Sequence, residues 1–184
     1  TRGGFAIMPH MSAPVIEKLC PMERSLKFKD FFKDKNTTDA VLDCIQEILW
    51  DEGDELTLHI ERLSHASKVI YLAETCEGQI NNGGFDQFFW NSSGDYTLET
   101  IKALEEIGAI KSVQLFNKAT SWFPNSTPSA DREARWKQLK VFEKSTAYEK
   151  LLDALDKEFY KYEDNIMALI DDYIKAHPDS SIRA

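Results

Sequence analysis

Thr37-Thr38-Asp39-Ala40-Val41-Leu42-Asp43-Cys44-Ile45-Gln46-Glu47-Ile48-Leu49-Trp50-Asp51 is the stretch on which the fold class turns. Val41, Leu42, Ile45, Ile48 and Leu49 recur at intervals of three and four, which is the spacing of one buried face of an α-helix. Thr37 or Thr38 can cap its start, because a side-chain hydroxyl accepts from a free amide of the first turn, and Asp39 complements the positive end of the helix. Gly53 ends or kinks it. A second register runs through the same residues: Asp39, Asp43, Glu47 and Asp51 fall every four positions. With a rise of ~1.5 Å per residue, that sets one carboxylate per turn, about 6 Å apart along the axis, in a slowly drifting row.

Outward from this helix the chain continues to read as helical. On the N-terminal side a short helix spans about Ser25 to Phe32, with Leu26, Phe28, Phe31 and Phe32 as its contacts, followed by a loop at Asp34-Lys35-Asn36-Thr37. On the C-terminal side a longer pattern runs from Glu55 to about Glu77. Its stripe is Leu56, Ile60, Leu63, Val69, Ile70 and Ala73, interrupted at Ser64-His65-Ala66-Ser67, and Gly78 is its stop signal. The next segment reads as a turn, a short helix from about Phe85 to Trp90, and another turn. Helices follow at about Thr97 to Ile107, Lys111 to Trp122 and Asp131 to Phe142, with a loop from Pro124 to Ser129. A final continuous helical region extends from about Ala147 to Ala176, its seam traced by Leu152, Leu155, Phe159, Tyr162, Ile166, Ile170 and Tyr173. Pro178 and Asp179-Ser180-Ser181 begin a polar tail. There is no convincing strand pattern and no internal repeat. The expectation is an all-α fold, a single compact multi-helix domain over residues 11–184, with Thr1 to His10 set aside as a cloning remnant ahead of Met11.

Bulk composition narrows the function classes. In 184 residues, 42% are hydrophobic, including eleven Phe and four Trp, which is enough to bury a sizeable core and excludes a disordered chain. The formal charge of −9 disfavours direct contact with nucleic acid and suits a basic protein partner. No apolar run approaches the roughly 18 residues that a membrane span needs, and Glu17, Lys18 and Glu23 interrupt any secretory segment. Cys20, Cys44 and Cys76 are odd in number and widely spaced, and read as reduced thiols of a cytoplasmic protein.

Signals for chemistry are weak. His59 and His65 lie six apart with no cysteine beside them, which does not fit zinc-ligand spacing. Asn82-Gly83-Gly84-Phe85 lacks the lysine of a phosphate loop, and Val69 to Ile101 contains no Lys or Arg. Glu74, Glu77, Asp86 and Asp95 could in principle supply paired carboxylates or a hard-cation site. The commoner use of such a segment is structural: glycines permit a turn, polar side chains satisfy it, and aromatics plug the core. The expectation is therefore no catalytic residue, no metal and no cofactor.

Charge placement says more. Between Asn36 and Glu61 there are eight acids and no Lys or Arg. Like charges four apart cost a helix a few tenths of a kcal/mol per pair, so a chain shaped for stability alone would mix in lysine. The spacing resembles that of neighbouring phosphates on a nucleic-acid strand, and DNA-binding proteins position themselves through Arg, Lys and N–H contacts to phosphates. A second acidic region runs from Glu149 to Asp172, where pairs such as Asp153 and Lys157 can be ordinary helix-stabilising contacts. A solvated acidic surface that only aids solubility is the plain alternative, and charge alone does not separate the two.

Glu77-Gly78-Gln79-Ile80-Asn81-Asn82-Gly83-Gly84-Phe85-Asp86-Gln87-Phe88-Phe89-Trp90-Asn91-Ser92-Ser93-Gly94 changes the balance. Its pattern, Asn-Gly-Gly-Phe-x-Gln-Phe-Phe-x-Asn, resembles the signature of the bacterial domain family of DNA-mimic protein nineteen. The chain from about Thr38 to Tyr173 also resembles that family in length, helix order and acidity. The resemblance implies an all-helical domain that forms a homodimer and presents carboxylates in a DNA-like arrangement to a basic helix-turn-helix transcription factor, keeping it off its operator. It implies no catalytic residue. On this reading the partner-binding residues are Asp39, Asp43, Glu47, Asp51, Glu52, Asp54 and Glu55, with Glu149, Asp153 and Asp156 as a second group. Two other readings stand beside it: a small-ligand-binding protein or enzyme using Asn81–Asp95, and an immunity-type inhibitor of a basic nuclease.

Overall fold

The computed structural model describes residues 25–49, 60–142 and 144–184. Thr1 to His10, Cys20, Gly53 and the expected start of a helix at Glu55 lie outside them. Within the described residues there are seven α-helices: α1 (Thr37–Leu49), α2 (His65–Trp90), α3 (Thr97–Glu106), α4 (Ile110–Thr120), α5 (Arg132–Phe142), α6 (Thr146–Phe159) and α7 (Ile166–Ala176). Short 3-10 turns at Phe28–Phe31, Ile60–Arg62, Ser92–Tyr96 and Pro124–Ser126 join or precede them. The described residues hold no strand, only isolated backbone bridges from Lys27 to Ser181 and from Leu63 to Arg183. The fold is all-α, with one core.

That core is built around α2, against which α1, α3, α5, α6 and α7 all pack. A helix enclosed on most sides needs little polar face, and that of α2 is confined to positions such as Glu77, Asn81, Asn82 and Asp86. Accordingly Val69, Ile70, Tyr71, Leu72 and Ala73 are buried in succession, and Phe85, Phe88 and Phe89 are buried further along. α1 forms where its three-four spacing predicts. It buries Val41, Cys44, Ile45, Ile48 and Leu49 against α2 and α7, while Leu42 is only half-buried. The Thr38 hydroxyl reaches across to Asp171 Oδ1 on α7 at 3.0 Å instead of capping its own helix.

Three boundaries differ from the sequence expectation. α2 begins at His65, because the Ser64 hydroxyl accepts from the Ser67 amide at 3.2 Å and caps the helix where the pattern read as interrupted. Gly78 does not stop α2: it is exposed and a side chain there would meet nothing, so the helix passes through it at only the modest cost of a glycine. The final region is two helices. α6 ends at Phe159, Tyr162 adopts φ 52, and Asn165 starts α7 by accepting from the Ala168 amide at 3.0 Å.

The tail after Pro178 is more than a polar extension. Ile182 is 1% exposed, and its amide donates to the Leu26 carbonyl at 2.8 Å. Its carbonyl receives the Ser64 amide at 3.0 Å, and the Ala184 amide bonds the Arg62 carbonyl at 2.9 Å. The expectation of three reduced thiols is corrected too: Cys44 is disulfide-bonded, while Cys76 is free and buried. Spacing along a chain does not report which thiols meet in space, so the redox argument for a cytoplasmic location falls away. No helix of the described residues is long and apolar enough to cross a membrane.

Candidate functional site

The acid row on α1 points outward. Asp39 and Asp43 are exposed and Glu47 is half-exposed, on the side opposite Val41, Ile45 and Ile48. The Asn36 side-chain amide donates to Asp39. Among the described residues no Lys, Arg or His forms an ion pair with Asp39, Asp43 or Glu47. Partial burial raises the Asp43 carboxyl above its usual range, and the charge of Asp39 adds to this; burial and then Asp43 do the same to Glu47. The row is thus a set of mutually repelling carboxylates without a compensating cation among the described residues. Asp51, Glu52, Asp54 and Glu55 lie outside the described residues.

The second acidic group divides. Glu149 and Asp153 are exposed on α6. Asp153 and Lys157 make no ion pair, and the pair formed at this end of α6 is Lys161 with Glu158 at 2.7 Å. Asp156 turns inward, and its Oδ1 accepts the Phe85 amide at 2.9 Å. α1 rests on α2 and α7, whereas α6 rests on α2 and α4. The fold therefore gathers Asp39, Asp43 and Glu47 on one helix, keeps Glu149 and Asp153 on another, and gives Asp156 a different environment from both.

Asp156 marks the most specific feature of the molecule, a bend in α2. Gly83 (φ −164, ψ 25) and Gly84 (φ 72, ψ −175) leave helical geometry between two helical halves. The backbone of Gly84 is one that only glycine adopts freely, and a Cβ there would fall on the Asp156 carboxylate, 2.8 Å from its Cγ. Bending a helix frees backbone groups that must find new partners. The C-terminal end of α6 supplies them. Asp156 takes the Phe85 N–H, and the Tyr160 hydroxyl donates to the Ile80 carbonyl at 2.8 Å. Just beyond, the Tyr162 hydroxyl donates to Asn81 Oδ1 at 3.1 Å. Burial pushes the Asp156 carboxyl up, against the pull of the Phe85 N–H, and Asp153 and Asp86 push it further.

The rest of the Gly-Gly-Phe segment serves the same bend. Outside it, Asn82 donates to Gln87 Oε1 at 3.0 Å, while Gln87 and Asn91 both donate to Gln79 Oε1, at 3.1 and 2.7 Å. Inside, Phe85 and Phe88 each meet Phe116 edge-on with ring centres 5.0 Å apart, and Phe89 meets Phe123 at 5.0 Å. At the far end the Ser93 hydroxyl donates to the Phe88 carbonyl at 2.7 Å. Arg135, 0% exposed, reaches in from α5 and donates to the carbonyls of Phe89 (2.7 Å), Ser129 (2.7 Å) and Asn91 (3.0 Å) and to Asp95 Oδ1 (2.5 Å). Gly94 leaves room for it: a Cβ there would sit 2.6 Å from Arg135 Nε. Sequence reasoning missed this arginine, which looks like one more surface base of α5. Of the other acids weighed for chemistry, Glu74 and Glu77 are half-buried on α2 and raised by burial, and Asp86 accepts the Trp90 indole N–H at 3.0 Å. Among the described residues no group of three or more His, Cys, Asp and Glu could hold a metal ion.

These features define a class: a one-core helical protein with a glycine-bent central helix and an outward-facing row of carboxylates on a flanking one. Residues 61–177 match the family described as DMP19-like protein, and the chain belongs to that family. No curated protein and no solved structure matches the chain. The family match takes in α2 with its bend and every helix from α3 to α7. It begins after α1, later than the start near Thr38 that the sequence resemblance suggested.

Proposed function

We propose that this protein is a DNA mimic that occupies the DNA-binding surface of a basic helix-turn-helix regulator and so blocks operator binding, acting by occupancy and without a cofactor. The observation that carries this reading is the α1 row, in which Asp39, Asp43 and Glu47 face outward one turn apart with no cation paired to them among the described residues. Carboxylates held at that interval offer acceptors to the Lys, Arg and N–H groups that a regulator directs at phosphates. Family membership supports the reading, and the acidity of the whole chain favours fast, salt-sensitive encounter with a basic surface. On the same reading the working form is a homodimer in the cytoplasm.

The test is affinity capture from the native cytosol on the immobilised full chain and on D43K/E47K, eluted with a salt gradient. The expected result is a basic DNA-binding protein retained by the wild type, released as salt rises, and not retained by the variant. Its operator mobility shift should then be abolished by added wild-type chain but not by D43K/E47K. A partner held equally well by both chains removes α1 from the interface. A captured basic nuclease would replace the regulator and leave the electrostatic argument standing.

The alternative centred on Asn81–Asp95 has less to support it, since the buried phenylalanines, the amide network and Asp95 of that segment are all engaged with the fold. Melting with and without nucleotides and divalent cations tests it, because a ligand bound only by the folded state raises the transition.

A further inference from the structure

We infer that the exposed face of α5 is a second docking surface, complementary to an acidic protein segment that carries an apolar side chain among its carboxylates. The inference starts from charge segregation. From Ile107 to Lys144 the bases Lys111, Lys118, Arg132, Arg135, Lys137, Lys140 and Lys144 stand against only Asp131, Glu133 and Glu143, in a chain of net charge −9. Of these, Arg135 is buried and Arg132 is paired with Asp95 at 2.8 Å. Lys137 and Lys140 are exposed, as is Lys144 just past the helix, and none of the three forms an ion pair among the described residues. In a protein with so many acids, three neighbouring lysines that pair with no acid among the described residues form a positive face.

Apolar groups lie among these charges. Val141 is 83% exposed, the highest value of any large hydrophobic side chain among the described residues, and Trp136 is 38% exposed. At helical spacing Lys137 is followed one turn later by Val141, and Trp136 by Lys140, so charge and apolar surface interleave on one face. The face is also held in place before any partner arrives. Arg135 ties the buried side of α5 to the end of α2, and the Trp136 indole N–H donates to the Trp90 carbonyl at 2.9 Å. A tryptophan fixed in orientation beside unpaired charge is the composition of an interface hot spot, and pre-organisation lowers the entropy lost on binding.

The occupant indicated is protein in preference to nucleic acid. A polyanion long enough to cover α5 would extend into the field of the surrounding acids, whereas a short acidic segment meets only this face. Trp90 and Trp136 pack on each other with ring centres 6.2 Å apart, and Val141 offers no hydrogen-bond donor to a phosphate.

The experiment titrates the isotope-labelled full chain with two probes of matched charge, a synthetic helical peptide with Glu and Leu on one face and an oligothymidine strand, and follows backbone amide shifts. The peptide is expected to move the resonances of Trp136, Lys137, Lys140 and Val141. K137E/K140E should weaken it about tenfold or more with the helical circular dichroism unchanged, and V141D should weaken it less. D43K/E47K should leave peptide binding intact, which separates this surface from the α1 row. Peptide shifts that fall elsewhere, no shifts at all, or oligothymidine binding α5 as tightly as the peptide would each overturn the inference.

Discussion

Asp43 on α1 and Asp156 on α6 are both helical aspartates with another acid nearby, and burial raises both. They differ in what faces them. Among the described residues no backbone amide or cation is bonded to Asp43, and Asp39 makes its ionisation harder. Asp156 looks onto the one place in α2 where an amide has been released by a bend, and accepts it. Asp95 makes the same contrast at the other end of the Gly-Gly-Phe segment, held by buried Arg135 and by Arg132. What decides a carboxylate's role here is whether a donor freed by the fold lies within reach; the local density of charge does not. The acids around α2 serve the fold, while those on α1 are left over from it.

This contrast can be broken most directly at Arg135. Replacing it with alanine leaves Asp95 half-buried without its main partner and three carbonyls unpaired, so R135A should lose about 3–5 kcal/mol in urea unfolding. A loss below about 1 kcal/mol would mean that these acceptors find water instead. G84A comes next, at about 3 kcal/mol, because it combines a backbone that disfavours any Cβ with a collision against Asp156.

Asp156 itself sharpens the comparison. D156A removes the acceptor for Phe85 N–H and should cost about 1 kcal/mol, whereas D156N keeps an acceptor oxygen and sheds a buried charge. At neutral pH D156N should melt at or above the wild-type temperature; a loss equal to that of D156A would show that the charge itself is needed. The smallest effect belongs to α1. D43K/E47K should gain a few tenths of a kcal/mol by removing repulsion, even as it abolishes partner capture. Because Asp43 and Glu47 are raised, the folded state holds their protons to higher pH than the unfolded chain does. Their contribution to stability therefore falls as pH climbs from the ordinary carboxylate range through the raised values, and D43N/E47Q should flatten that slope in a series of melts.

How far the molecule could be read from sequence follows the same division. α1 was legible because one periodicity sorts both its buried and its charged residues. The turn at Gly83-Gly84 and the short helix after it were legible from glycine and aromatic content. What surrounds the turn was not. Gly78 carries the same local signal as a stopping glycine, and only packing shows that α2 continues. The seam from Phe159 to Ile166 keeps its hydrophobic character across six residues that are not helical, so periodicity joined α6 to α7. Burial of Arg135 and the inward turn of Asp156 depend on backbone acceptors and donors some 40 and 70 residues away, as no local pattern reveals.

The stitching of Ile182 and Ala184 to Leu26, Ser64 and Arg62 bears on how the chain is made. During synthesis these five residues come together only after the last of them has left the ribosome. Until then the cap region of α2 and the strand-like segment before α1 lack their closing partner. Without Ile182 and Ala184 the helices would stand in sequence with their seal unmade.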